Sequence, residues 1–123
     1  MSNPNGAESG VVRVSLPFPP SLNDIFRQFN GAHLSEPYRK WRDEAGWMLK
    51  AQKVKPVAGP VSIEVSVTAP DKRRRDLDNV GFKAVIDLLV KHQIIEADDS
   101  RIVRAIKAEW TAGEPCTVIV RAA

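Results

Sequence analysis

Four stretches of this chain read as strands and two as helices. Residues 11–16 (Val-Val-Arg-Val-Ser-Leu) are rich in β-branched side chains with partial alternation, the pattern of a strand. Residues 61–67 alternate strictly, which places Val61, Ile63, Val65 and Val67 on one core-facing side. Residues 101–110 and 116–121 predict two more strands. Only the turn at residues 111–115 separates them, so the simplest arrangement is a hairpin. Tyr38, Trp41, Ala45, Met48 and Leu49 recur at three-to-four spacing and predict an amphipathic helix over residues 35–52, with Ser35 as N-cap and Pro37 in the first turn. At that spacing Tyr38 and Trp41 read as core rather than as base-stacking groups, and Arg39, Lys40 and Arg42 as a solvated face. A second helix is predicted from Asp78 or Asn79 to about His92. Its apolar residues are Phe82, Val85, Ile86, Leu88, Leu89 and Val90, and its polar stripe is Lys83, Asp87 and Lys91.

The connections are marked as clearly. Pro17, Pro19 and Pro20 stop the first strand. Residues 21–34 read as a loop, 56–60 as a turn, and 93–100 as a connection carrying Glu96, Asp98 and Asp99. Strands and helices alternate early and strands close the chain. The expected class is α/β (α+β), a single small domain over residues 11–123, with two main helices packed on a mixed β-sheet. Residues 1–10 have neither a basic n-region nor an apolar h-region, and are expected to be a disordered leader on a cytoplasmic protein.

Composition narrows the chemistry. The 123 residues suit one domain with a real core, and the net charge of +3 is mild. A lone Cys116 excludes an intrachain disulfide and a Cys-rich zinc site. With His33 and His92 the only histidines, a metal here would be held by oxygen, which points to Mg²⁺ or Mn²⁺. No apolar run approaches the roughly 18 residues of a membrane span.

The charge that matters is local. Residues 70–79 read Pro-Asp-Lys-Arg-Arg-Arg-Asp-Leu-Asp-Asn, so the cations Lys72, Arg73, Arg74 and Arg75 run directly into Asp76 and Asp78. Adjacent opposite charges at a surface add little stability. One reading is a solvated loop; the other holds a polyanion and a divalent ion together. In extended backbone Asp76 and Asp78 would point to one side, with Leu77 turned to the core. Asp98-Asp99 would supply a further carboxylate, although a turn or capping role is open to that pair. Such an ion would activate water against a phosphate, and a nearby lysine would stabilise the leaving charge. A non-catalytic DNA-binding module is the competing class. An Asp-x-Asp nucleotide-sugar enzyme is a third, in a chain short for it and without a Gly-rich phosphate loop.

These residues resemble the RusA family of Holliday-junction resolvases. The likeness lies in residues 16–23 (Leu-Pro-Phe-Pro-Pro-Ser-Leu-Asn), residues 70–79, Lys83-Ala84 with Asp87 and Leu88, and Asp98-Asp99-Ser100, and it spans about residues 11–110. The resemblance implies a small homodimeric endonuclease that nicks four-way DNA junctions symmetrically with Mg²⁺ or Mn²⁺, in recombination and repair. It implies Asp76, Asp78 and Asp99 as metal-binding aspartates with Asp98 beside them, Arg75 as a DNA contact, and Lys83 as the catalytic lysine. The family spacing puts two residues between the asparagine and that lysine; here Val80, Gly81 and Phe82 make three. On a continuous helix the extra residue turns Lys83 by about 100°. A later helix start, or absorption at Gly81, restores it. Ala97 is likewise one residue more than the pattern before Asp98-Asp99, which leaves the ligand between those two.

Overall fold

The computed structural model describes residues 10–26 and 34–123. The expected leader, apart from Gly10, and residues 27–33 of the expected 21–34 loop lie outside the described residues. Elements follow in the order β1 (Val11–Leu16), α1 (Leu22–Phe26), α2 (Glu36–Gln52), β2 (Val61–Val67), a 3₁₀ turn (Leu77–Asn79), α3 (Phe82–Lys91), β3 (Val103–Trp110) and β4 (Cys116–Ala122). The α+β class holds, with α2 and α3 as the two main helices.

The sheet has the order β1-β4-β2-β3. β4 runs antiparallel to both β1 and β2, while β3 runs parallel to β2. The expected β3–β4 hairpin is therefore wrong: the two strands lie on opposite sides of β2. The reason is in their faces. Cys116, Val118 and Val120 are fully buried, so β4 needs a central position. β3 is exposed at six of its eight positions and takes the edge. The β2–α3–β3 crossover lays β3 parallel to β2, as a helix-containing connection does.

Val12, Val14, Leu16, Val61, Ile63, Val65, Val67, Val118 and Val120 form the inner face of the sheet. Tyr38, Trp41, Ala45 and Leu49 from α2 and Ala84, Val85, Leu88 and Leu89 from α3 pack in the same core. Each Val or Leu buried in this way contributes about 1.5–3 kcal/mol relative to exposure. Tyr38 and Trp41 are core residues, as their spacing predicts. α2 begins at its Ser35 cap, whose hydroxyl accepts from the Tyr38 amide at 3.3 Å.

Two side chains of α2 fix the way the chain leaves β1. The Gln52 amide bonds both backbone groups of Ser15, at 2.7 and 2.8 Å. The Trp41 indole N–H donates to the Pro17 carbonyl at 3.0 Å. The expected loop from residue 21 instead opens with a helical turn, α1. Ser21 starts it, its hydroxyl accepting from the Asp24 amide at 3.1 Å and its carbonyl from Ile25.

Candidate nucleic-acid and metal site

The charged segment leaves the end of β2 and crosses toward α3. Its first device is Asp71. The Asp71 carboxylate takes the Arg75 guanidinium on both oxygens, at 2.7 and 2.9 Å, and also accepts from the Arg73 amide at 2.9 Å. The fork-to-fork geometry fixes the direction of the guanidinium, not just its distance. Arg75 holds the Asp71 carboxyl well below the usual carboxylate range, with the Arg73 amide adding to the effect. The carbon of the Arg75 guanidinium lies 5.9 Å from the Phe18 ring centroid, and Phe18 stacks on Trp110 at 6.3 Å. Arg75 is thus only 18% exposed, whereas Arg73 is 79% exposed. Of the four cations, Lys72, Arg73 and Arg74 face solvent, and Arg75 is built into the wall of a site.

That site is a cavity of about 230 Å³ lined by Phe18, Pro19, Ser21, Arg74, Arg75, Asp76, Asn79 and Val80. It forms because the proline-rich segment after β1 is sewn to the start of α3. Ser21 and Val80 make an isolated antiparallel bridge, and the Gly81 N–H donates to the Pro20 carbonyl at 2.7 Å. A Cβ on Gly81 would collide with that same carbonyl and with Ile25 Cδ1. The φ of Gly81 is −79°, ordinary for any residue. Space, and not backbone freedom, selects glycine here.

The spacing of the two central aspartates differs from the extended geometry expected. Asp76 is extended (φ −91°, ψ 131°), but Leu77–Asn79 is a 3₁₀ turn. At three residues per turn, residues two apart no longer share a side. Leu77 does pack against the core. The expected start of the second helix at Asp78 or Asn79 also moves. Val80 is extended and α3 begins only at Phe82. The extra residue before Lys83 is thus taken up outside the helix, at Val80-Gly81.

Lys83 lines a different depression from Asp76. Ile25, Tyr38, Ala84 and Leu88 floor a groove of about 420 Å³ whose charged walls are Arg42, Lys83, Asp87 and Lys91. Lys83 pairs with Asp87 at 3.6 Å, the i,i+4 contact its stripe predicts. Arg42 was legible only as part of a solvated face. Its place beside Lys83 depends on how α2 crosses α3, which helical spacing alone does not fix.

Asp98 is exposed on the connection after α3. Asp99 is engaged: its carboxylate takes Arg101 at 2.8 and 3.1 Å and the Arg101 amide at 2.9 Å. Arg101 lowers the Asp99 carboxyl from its ordinary value. The turn this makes, closed by the Asp99 carbonyl accepting from Ile102 and Val103, delays β3 to Val103 rather than residue 101. The structure thus groups Arg74, Arg75, Asp76 and Asn79 around one cavity. It places Lys83 in a neighbouring groove and Asp98 and Asp99 along neither.

Among the described residues no three His, Cys, Asp or Glu side chains converge to hold a metal ion. The donor chemistry still fits a hard cation. Mg²⁺ needs only one or two carboxylates when phosphate oxygens and waters complete its octahedron. Asp76 and Asp78 are exposed carboxylates beside a basic run, where phosphate would lie.

Two side chains emerge here that sequence reasoning passed over, Asp71 and Phe18. Asp71 was readable, being four residues before Arg75 and of opposite charge. The partnership of Phe18 with Arg75 joins residues 57 apart and had no local signal.

Comparison with known proteins agrees with the motifs. Residues 17–121 match the family model described as Endodeoxyribonuclease RusA. The chain is 36% identical over 104 residues to a crossover junction endodeoxyribonuclease of Enterobacteria phage 82, covering 81% of this chain and 85% of that protein. It has the same identity and coverage against the RusA crossover junction endodeoxyribonuclease of Escherichia coli K12. Against the protein of that name from Enterobacteria phage HK97 it is 33% identical over 98 residues, covering 75% and 81%.

Proposed function

The chain belongs to the RusA family of endodeoxyribonucleases, and from that premise we propose that it resolves four-way DNA junctions by paired symmetric nicks. The observation that carries the reading is the cavity where Arg74, Arg75, Asp76 and Asn79 meet, at the end of an exposed basic run. Lys72, Arg73 and Arg74 contact phosphate and set the register of the DNA backbone. Arg75, locked by Asp71 and backed by Phe18, presents a fixed cation at the cavity wall. A held guanidinium does not have to reorganise as charge develops, which is the condition for electrostatic stabilisation.

We assign Mg²⁺ or Mn²⁺ as cofactor, held by Asp76 and Asp78 with DNA phosphate oxygens, and with Asp98-Asp99 as the source of a further carboxylate. When bound, such an ion would lower the pKa of its water and neutralise the leaving oxygen. Lys83, across the start of α3, donates to the leaving oxygen or to the adjoining phosphate. Recruiting the ion jointly with phosphate explains why no three carboxylates need converge beforehand. A four-way junction is nearly two-fold symmetric, so a homodimer supplies two matched sites. The role so assigned lies in recombination and repair, in the cytoplasm.

The test is cleavage of a synthetic four-way junction beside linear duplex of the same arms. Paired nicks confined to the junction and dependent on the metal support the reading. Equal cutting of linear duplex would overturn junction selectivity. Binding without cleavage in either metal would overturn the catalytic assignment.

A further inference from the structure

The two edges of the sheet are treated differently. At β1, the Gln52 amide satisfies Ser15 as a neighbouring strand would. At β3, among the described residues, no group pairs the outer side between Arg104 and Trp110. An open edge of that length is a template for another strand. The core also runs out there. Ile106 and Trp110 lie opposite Ile63 and Val67 of β2, on the buried face, yet they are 50% and 37% exposed. Ile63 and Val67 themselves are at most 1% exposed.

The sequence of β3 selects its own partner. Two antiparallel copies related by an axis normal to the sheet keep their faces, so one residue must lie opposite its own copy. Centred on Lys107, the pair would set like charges against each other. Centred on Ile106, it would face Lys107 with Ala105. Centred on Ala108, each Lys107 opposes the other copy's Glu109, each Ile106 the other copy's Trp110, and the small Ala108 meets itself. Directly opposed residues come within about 5 Å at Cβ, and opposite charges and apolar–aromatic pairs there are favourable. Lys107 has no charged partner among the described residues, so this register supplies one.

We propose that β3 pairs with β3 of a second copy, antiparallel and centred on Ala108, joining two four-stranded sheets into one of eight. The seam rests on the homodimer reading above and gives it a surface. Trp110 stacks on Phe18, which backs Arg75, so the seam adjoins the cavity through two aromatic rings. Ile106 and the partner copy's Trp110 extend the apolar core across the two-fold.

The test is sedimentation equilibrium of the full chain, with thermal melts as the fold control, on wild type, Lys107→Glu, Glu109→Lys and the double variant. Each single variant sets like charges opposite one another at two places. Each should weaken the dimer about tenfold, and the double should restore it. Independently, Ala108→Cys should form an interchain disulfide under mild oxidation, because its copy lies directly opposite; Ala105→Cys, off the axis, should not. A wild-type dimer indifferent to the single charge changes and without the Ala108→Cys cross-link would overturn the seam and leave the homodimer standing. A wild-type monomer at about 100 μM, far above a micromolar Kd, would overturn both, while junction cleavage would still be judged on its own assay.

Discussion

Gly81→Ala places a methyl group where the Pro20 carbonyl and Ile25 Cδ1 already sit. The carbonyl belongs to a proline-constrained segment that Trp41 also holds, so it cannot yield cheaply. The bond from the Gly81 amide to that carbonyl is the first loss, about 0.5–1.5 kcal/mol. Overpacking against Ile25, buried to 3% exposure, adds about 1–3 kcal/mol. Restricting the unfolded chain returns about 0.4–1 kcal/mol. The balance is about 0.5–4 kcal/mol of destabilisation. At about 4 °C per kcal/mol for a domain of this size, Tm should fall by about 2–16 °C in differential scanning calorimetry. Gly46→Ala is the control. Its Cβ would meet only the His92 ring at 3.4 Å, inside α2, where alanine is favoured by about 0.5–1 kcal/mol. Its Tm should rise by a few degrees. If Gly81→Ala melted at or above wild type, the proline-rich segment would not be packed against the start of α3, and the cavity beside Asp76 would lose its wall.

Other substitutions test the charged groups one at a time. Arg75→Ala should weaken binding to every junction sequence alike and reduce the salt slope by about one unit; an unchanged slope would remove Arg75 from the phosphate track. Because Arg75 depresses the Asp71 carboxyl, their pairing stabilises the fold at any pH above the ordinary aspartate value of about 3.9, and is lost only as pH falls through the lower folded value. Carboxyl ¹³C titration should find Asp71 still ionised near pH ~3.9 in wild type, and its midpoint should move up toward that value in Arg75→Ala, where the Arg73 amide keeps part of the depression. Lys83→Ala should cut turnover about 10²-fold while changing stability by less than about 0.5 kcal/mol; wild-type turnover would leave Lys83 as the ion-pair partner of Asp87. Burial pushes the Cys116 thiol up to about 12, so it should ignore a thiol reagent in the native protein and react on unfolding.

What sequence reading reached follows from what is local. Strict alternation in β2 and three-to-four spacing in α2 reproduce the observed elements, because each pattern reports burial of one face. The Ser35 cap was readable for the same reason. The order of the strands was not. Five residues between two strands suggest a hairpin, but the fully buried face of β4 demanded the centre of the sheet, and no local rule weighs that demand. The start of α3 was missed because Asp78 and Asn79 are good caps in isolation. The contact of Gly81 with Pro20, 61 residues away in the chain, decides the matter instead. At the site, the basic run and its two aspartates stood out by charge, and the Asp71–Arg75 pair lay within reach of i,i+4 reasoning. The separation of Lys83 from Asp76 and the capture of Asp99 by Arg101 depend on how turns fold, and had no equivalent in residue spacing.

Asp76 and Asp78 are proposed to serve chemistry at a DNA phosphate. The most direct measurement is cleavage of a four-way junction by wild type and Asp78→Asn, each with Mg²⁺, Mn²⁺ or a chelator, with junction binding measured in parallel. Asp78 is exposed and lies inside the 3₁₀ turn rather than at its cap, so the variant should fold and bind the junction as wild type does. Wild type should give paired nicks only with metal, and Asp78→Asn none. Cleavage by wild type in the chelator, or by Asp78→Asn at the wild-type rate, would contradict that role.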